Sequence, residues 1–262
     1  MDSLSDTQSE RDPRNVPITR TGVCGLRYPV TVIRPDGSTF GTACDATLTA
    51  SLAGSQRGTH MSRFVEELHT AHQSVGPAGV MALARKLRTR LKAAQATAEL
   101  TLPWFVEKKS PVTGAAAFLD YTVTWKAAVT ARTARLQTTV RVPLGTLCPC
   151  SKAISDRGAH NQRGYATVTI ETSAPLWPDK LIALIESAAS CELYSLLKRP
   201  DEKFVTERAF DRPVFVEDLV RDIALGLHSL KGLRGCRVEA VNLESIHSHN
   251  ACAVIDELEP LK

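Results

Sequence analysis

The sequence predicts an α+β fold in which the element order β-β-α-α-β-β occurs twice. Three observations carry that prediction. Residues 135–142 and 164–171 alternate apolar with polar side chains, the period of a half-buried strand. Two other segments, 80–91 and 216–227, repeat apolar residues at helical spacing. Stretches rich in Val, Thr, Trp and Tyr follow the first helical pair, as strands should.

Residues 1–17 carry no hydrophobic period and contain Pro13 and Pro17, so they read as an arm, disordered or docked on a partner. The packed fold starts at Ile18. A first half, 18–132, opens with two strands broken at the Pro35-Asp36-Gly37 turn. Helices follow around 62–73 and over the segment with Val80, Leu83, Ala84, Leu87 and Leu91, whose other face, Arg85, Lys86, Arg88, Arg90 and Lys92, reads as solvated surface. Extended stretches at 99–109 and 117–130 close this half. The second half, 133–262, begins with the alternating strands, which should pair. Helices are expected near 178–198 and 213–230, the latter with Asp211 near its N-cap and Pro213 in its first turn. Strands near 235–244 and 250–257 end the chain.

With 262 residues, one large domain or two fused smaller ones are both open. The 43% hydrophobic and 23% charged composition is that of a globular chain with a sizeable core. A net charge of +4, spread along the chain, gives no field argument for nucleic acid. No secretory leader or membrane-spanning run is visible, so a soluble protein without a membrane partner is expected. Seven cysteines without a leader favour reduced thiols and a cytoplasmic address.

Chemistry concentrates between the alternating strands, in PLGTLCPCSKAISDRGAHNQR (143–163). A connection that long inside a compact domain is usually functional or disordered, and this one holds two cysteines, a histidine and three cations. Cys148 and Cys150 are too close for a structural zinc knuckle, and no second pair follows. One sulfur joined by histidines and a carboxylate would instead leave a coordination position open, as catalytic metal sites require. His160, Glu202, His247 and His249 are candidate partners, although spacing alone does not bring them together. Cys24, Cys44, Cys191, Cys236 and Cys252 read most simply as small core residues, with Cys191, next to Glu192, the exception to keep in view, and His69, His72 and His228, on helices, read as structural.

Five long strings extend this reading: QSERDPRNVPI (8–18), RGTHMSRFVE (57–66), CPCSKAISDRGAHNQRG (148–164), SCELYSLLKRPDEKFVTERAFDRPVFVEDLVRD (190–222) and ESIHSHNA (244–251). Together they resemble the GTP cyclohydrolase type IB family over nearly the whole chain. The resemblance implies a bimodular tunnelling fold, two fused β-β-α-α-β-β halves with antiparallel sheets and helices on one face. It also implies a homo-oligomer, a tetramer, with active sites near subunit interfaces, and one divalent ion per site, zinc, manganese or iron, held by Cys148, His160, Glu202 and His247. The implied reaction converts GTP and water to formate and 7,8-dihydroneopterin triphosphate, the first step of folate-type pterin synthesis. Its rivals are an archaeal-type cyclohydrolase that gives a cyclic phosphate and a nitrile reductase on the same fold.

In that scheme the catalytic groups are Cys148, His160 and His249, with His60 or a metal-bound imidazole as other proton carriers. Glu217 anchors guanine, since a carboxylate matches its N1–H and exocyclic amine; by position alone Glu217 reads equally as helix-start electrostatics. Lys152, Arg157, Arg163, Lys198, Arg199, Lys203 and Arg208 form the pool for the triphosphate, with Lys152, Arg163 and His60 the substrate-binding choices beside Glu217.

Overall fold

In the computed structural model, which describes residues 6–259, the elements are β1 (Ile18–Ile33), β2 (Thr39–Leu52), α1 (Met61–Ala71), α2 (Pro77–Arg90), β3 (Gln95–Lys109), β4 (Ala116–Thr130), β5 (Ala134–Leu147), α3 (Pro149–Ile154), β6 (Asn161–Thr172), α4 (Pro178–Ala188), β7 (Cys191–Glu192), α5 (Arg199–Asp211), α6 (Val216–His228), β8 (Leu233–Asn242) and β9 (Ala251–Asp256). The strands follow the order β1-β2-β3-β4-β5-β6-β8-β9, with the two-residue β7 pairing β5. The α+β order predicted from the sequence is present twice, the second time with α3, β7 and α5 inserted. The first five and last three residues of the predicted arm and second half lie outside the described residues.

Two compact units are distinguishable. Of the described residues the first contains 6–102 and 124–137, the second 103–123 and 138–259. In the first, β1 and β2 pair antiparallel from Ile33↔Thr39 at the turn. Gly37 sits there at φ 82°, a left-handed conformation that glycine adopts without penalty. The register shifts between Val23 and Leu26, where Gly25 takes φ 65°. Val30, Val32, Ala46, Leu48 and Ala50 bury one face of this hairpin, and Phe64 and Leu68 of α1 with Val80, Leu83 and Leu87 of α2 complete the core. The predicted arm is not loose over its described part. Arg57 and Gly58 N–H groups donate to the carbonyls of Glu10 and Gln8, and Asp12 N–H donates to Ser55 O. These are backbone contacts, which leave no hydrophobic pattern to read.

In the second unit Val140, Val142 and Leu144 of β5, Ala166, Val168 and Ile170 of β6, and Cys236, Val238 and Ala240 of β8 are buried in alternation. Leu181, Ile182 and Ile185 of α4 and Leu219, Val220, Ile223 and Leu227 of α6 supply the other side of the core. The helix expected over 178–198 stops at Ala188, because Cys191 and Glu192 turn away to pair with Gly145 and Leu144. Helix α5 has no sequence counterpart in the predicted order: Asp201 is its one buried residue, so it shows no apolar stripe. Cys24 and Cys252 are exposed rather than in the core, whereas Cys44, Cys191 and Cys236 are buried.

Ile223 is fully buried against these strands. Ile223→Ala is expected to cost about 2–5 kcal/mol in denaturant unfolding, the sum of lost transfer energy and an unfilled cavity.

Candidate active site

The loop between β5 and β6 is closed at its neck. The N–H of Cys148 donates to the carbonyl of His160 at 3.1 Å, so the first and last functional residues of the connection face each other. Inside it, Cys148 caps the short helix α3, its sulfur accepting the Ser151 N–H at 3.4 Å. Ser151 Oγ bonds both sides of the neck, donating to Cys148 O and accepting the His160 N–H. The His160 ring is set by a 3.1 Å bond between Nδ1 and Ser245 Oγ, from the loop between β8 and β9. That loop also carries His247 and His249, whose rings stack with centroids 5.1 Å apart and planes within 8°.

A cleft of about 320 Å³ gathers these groups: Cys148, His160, Glu217, His247 and His249 all line it, with Gln162 and Asn242. Glu217 enters from the first turn of α6, where the helix dipole also favours an acid. Two residues the sequence reading missed shape the floor. Gln162 donates to Glu244 at 3.4 Å, but Gln162 Oε1 and Asn242 Oδ1 are buried without a hydrogen-bond partner. Their signal was legible in principle: each is a polar residue on the core-facing phase of its strand, in step with Ala166 and Val168 or with Val238 and Ala240. A buried acceptor without a donor carries a desolvation cost, which a ligand bringing N–H groups would relieve.

Other sequence-named residues stand elsewhere. Glu202, in the first turn of α5, is exposed and does not line the cleft. His60 precedes α1 in the first unit and is hydrogen-bonded to both carboxylate oxygens of Asp6 at 3.1 Å. Lys152 extends from α3 to the Phe210 carbonyl and lies 4.2 Å from the centroid of the Phe210 ring. Arg163 lines a neighbouring cavity of about 490 Å³ with Thr146, Gln162, Cys191, Glu192 and Tyr194. In that cavity Glu192 stays below its ordinary pKa despite burial, because Tyr194 donates to it and Arg208 and Lys108 lie close. Burial and Glu192 push the Cys191 thiol up to about 11, the opposite of an activated nucleophile.

A sulfur and two imidazoles on one wall fit a divalent metal by donor chemistry. Their donor atoms are not drawn into a tight cluster; among the described residues the one trio with all donors within 4.8 Å of one another is His228, Cys236 and Glu257, outside the cleft. The carboxylate beside Glu202 has a structural task instead. Asp201 is fully buried and accepts hydrogen bonds from the N–H groups of Val112, Thr113 and Lys198 and from the Thr113 hydroxyl.

Uricase from Arthrobacter globiformis is similar with a TM-score of 0.53 at 6% identity, over 91% of this chain and 93% of that one. Urate oxidase from Bacillus sp. TB-90 is similar with a TM-score of 0.53 at 8% identity, over 92% and 100%. Likeness at that identity concerns the fold alone, and it makes this chain a tunnelling-fold protein. A model of the type I GTP cyclohydrolase FolE2 family matches residues 4–253. Curated relatives described as GTP cyclohydrolase FolE2 include those of Bordetella petrii, 47% identical over 97% of this chain and 96% of the relative, and Thermosipho africanus, 45% identical over 97% and 98%. That of Akkermansia muciniphila is 47% identical over 98% of both chains. The chain belongs to the type I GTP cyclohydrolase FolE2 family.

Its hydrogen bonds hold the Asp201 carboxyl well below the usual carboxylate range, against the opposing effect of burial. A depressed folded pKa adds stability that is complete above the unfolded value of about 4 and is lost as pH falls towards the folded one. Asp201→Asn is therefore expected to lower the melting temperature at pH 7, with the gap from wild type narrowing below about pH 4. Melting curves across pH check this; a gap that widens in acid would contradict it.

Proposed function

We propose that the cleft holds GTP and that the chain converts GTP and water into formate and 7,8-dihydroneopterin triphosphate, at the start of folate-type pterin synthesis. Family membership gives the coarser statement, a GTP cyclohydrolase. The observation that carries the finer one is the meeting of Cys148, His160, Glu217, His247 and His249 on one cleft.

Guanine offers N1–H and an exocyclic amine as parallel donors, and the Glu217 carboxylate is the acceptor pair that suits them. Gln162 and Asn242, which also line the cleft, add neutral amide groups beside the carboxylate. Lys152 and, from the neighbouring cavity, Arg163 are the cations assigned to a triphosphate that extends beyond the cleft. Opening the imidazole ring needs water added at C8, C8 then leaving as formate, and proton transfers at the ring nitrogens and ribose. His249, stacked on His247, is the proton carrier among the cleft residues that is not assigned as a ligand.

A divalent ion, zinc, manganese or iron, would rest on Cys148, His160 and His247, and when bound would supply a Lewis acid and lower the pKa of a water ligand. Ser245 and the Cys148–His160 neck orient those side chains beforehand. Glu202 is the fourth ligand of this reading, brought in by contact in the assembled enzyme. The assembly proposed is a homotetramer with its sites near subunit contacts; the exposed His247 and Glu217 of a single chain support it. Sedimentation equilibrium would give four chains, and a monomer at all concentrations would refute that part.

Metal-loaded protein incubated with GTP is expected to release formate and a pterin that fluoresces after oxidation. Cys148→Ala should lower kcat by roughly a hundredfold or more while circular dichroism stays native. Glu217→Gln should lower kcat/KM for GTP by roughly a hundredfold and shrink the preference over inosine triphosphate, which lacks the amine. Equal discrimination in wild type and Glu217→Gln would exclude the carboxylate as the guanine anchor.

A further inference from the structure

We infer that His228 Nε2, Cys236 Sγ and the Glu257 carboxylate form a second cation site, for zinc or another thiophilic divalent metal, distinct from the cleft. None of the three lines the cleft. All their donor atoms lie within 4.8 Å of one another, with His228 Nε2 2.8 Å and Cys236 Sγ 3.4 Å from Glu257 Oε2. Zinc bonds of about 2.0–2.1 Å to nitrogen or oxygen and 2.3 Å to sulfur place tetrahedral donors roughly 3.4–3.6 Å apart. Opening the His–Glu pair by about half an ångström reaches that spacing.

Three separate elements deliver the donors, and backbone contacts fix them. Cys236 lies on β8 and Glu257 follows β9, and the Glu257 N–H donates to the Cys236 carbonyl at 2.8 Å. Gly235 permits the close approach, since a Cβ there would meet the Glu257 carbonyl oxygen at 2.6 Å. His228 is the last residue of α6, at the helix end whose dipole favours positive charge. Arg237 on β8 is committed to Asp256 and Glu239.

A divalent ion binding there forms a metal–sulfur bond and releases the thiol proton to solvent; with thiolate, carboxylate and neutral imidazole the site is then electrically neutral. His228 and Glu257 are exposed, so the ion has an entry path and water completes its coordination. The site would staple the end of α6 to β8 and to the segment after β9.

The test is titration of metal-stripped full-length Cys148→Ala protein with cobalt(II) alone, following the thiolate-to-cobalt charge-transfer band. One equivalent per chain is expected to produce the band, and Cys236→Ser in the same background to abolish it. His228→Ala, at an exposed position, should weaken cobalt binding at least tenfold even where Cys236→Ser fails to fold. A Cys148→Ala protein that develops no band, or whose band and affinity are unchanged in Cys236→Ser and His228→Ala, overturns the assignment.

Discussion

The candidate site depends on one backbone hydrogen bond, from the Cys148 N–H to the His160 carbonyl. Strands β5 and β6 are neighbours in the sheet, so the chain between Leu147 and Asn161 must leave and return at nearly the same place. The neck bond turns that topological fact into a chemical one. A residue at each end of the excursion, a sulfur and an imidazole, is held on the same rim without needing proximity in sequence.

The remaining groups arrive by the same logic of ends. Glu217 is at the start of α6, and His247 and His249 follow the end of β8, so the cleft collects termini of elements whose middles are core. Burial of Ile223, Val168 and Val238 fixes those elements, and rigid elements orient the side chains at their tips. The floor is less settled energetically. Gln162 Oε1 and Asn242 Oδ1 are buried without a protein donor, a cost that a hydrogen-bond donor would remove.

Much of the frame was readable from the sequence, for a physical reason. The alternation of Leu136, Thr138, Val140 and Val142, and the helical repeat of Leu219, Val220, Ile223 and Leu227, record burial directly. What burial does not record was missed. Helix α5 buries Asp201 alone, so neither its helical state nor its anchoring of the 110–115 turn shows as a pattern. Leu193, Leu196 and Leu197 continued the helical rhythm past Ala188, while the strand pairing of Cys191 and Glu192 overrode it. The docking of residues 8–12 is made by backbone groups common to every residue and by the Glu10–Arg57 ion pair. For the site, the strings at 148–164 and 244–251 named residues that share the cleft, and Glu202 was named without reaching it. His228, read as structural, and Cys236, read as core, proved to be neighbours through Glu257, a residue no motif had marked.

The proposed chemistry requires Cys148, His160 and His247 to converge on one ion in the cleft. X-ray absorption at the metal edge, on Cys236→Ser protein loaded with one equivalent of zinc, tests it most directly. One sulfur and at least two imidazole nitrogens are expected around the metal, with the sulfur lost in Cys148→Ala. A shell of nitrogen and oxygen alone, or a sulfur that survives Cys148→Ala, would contradict it.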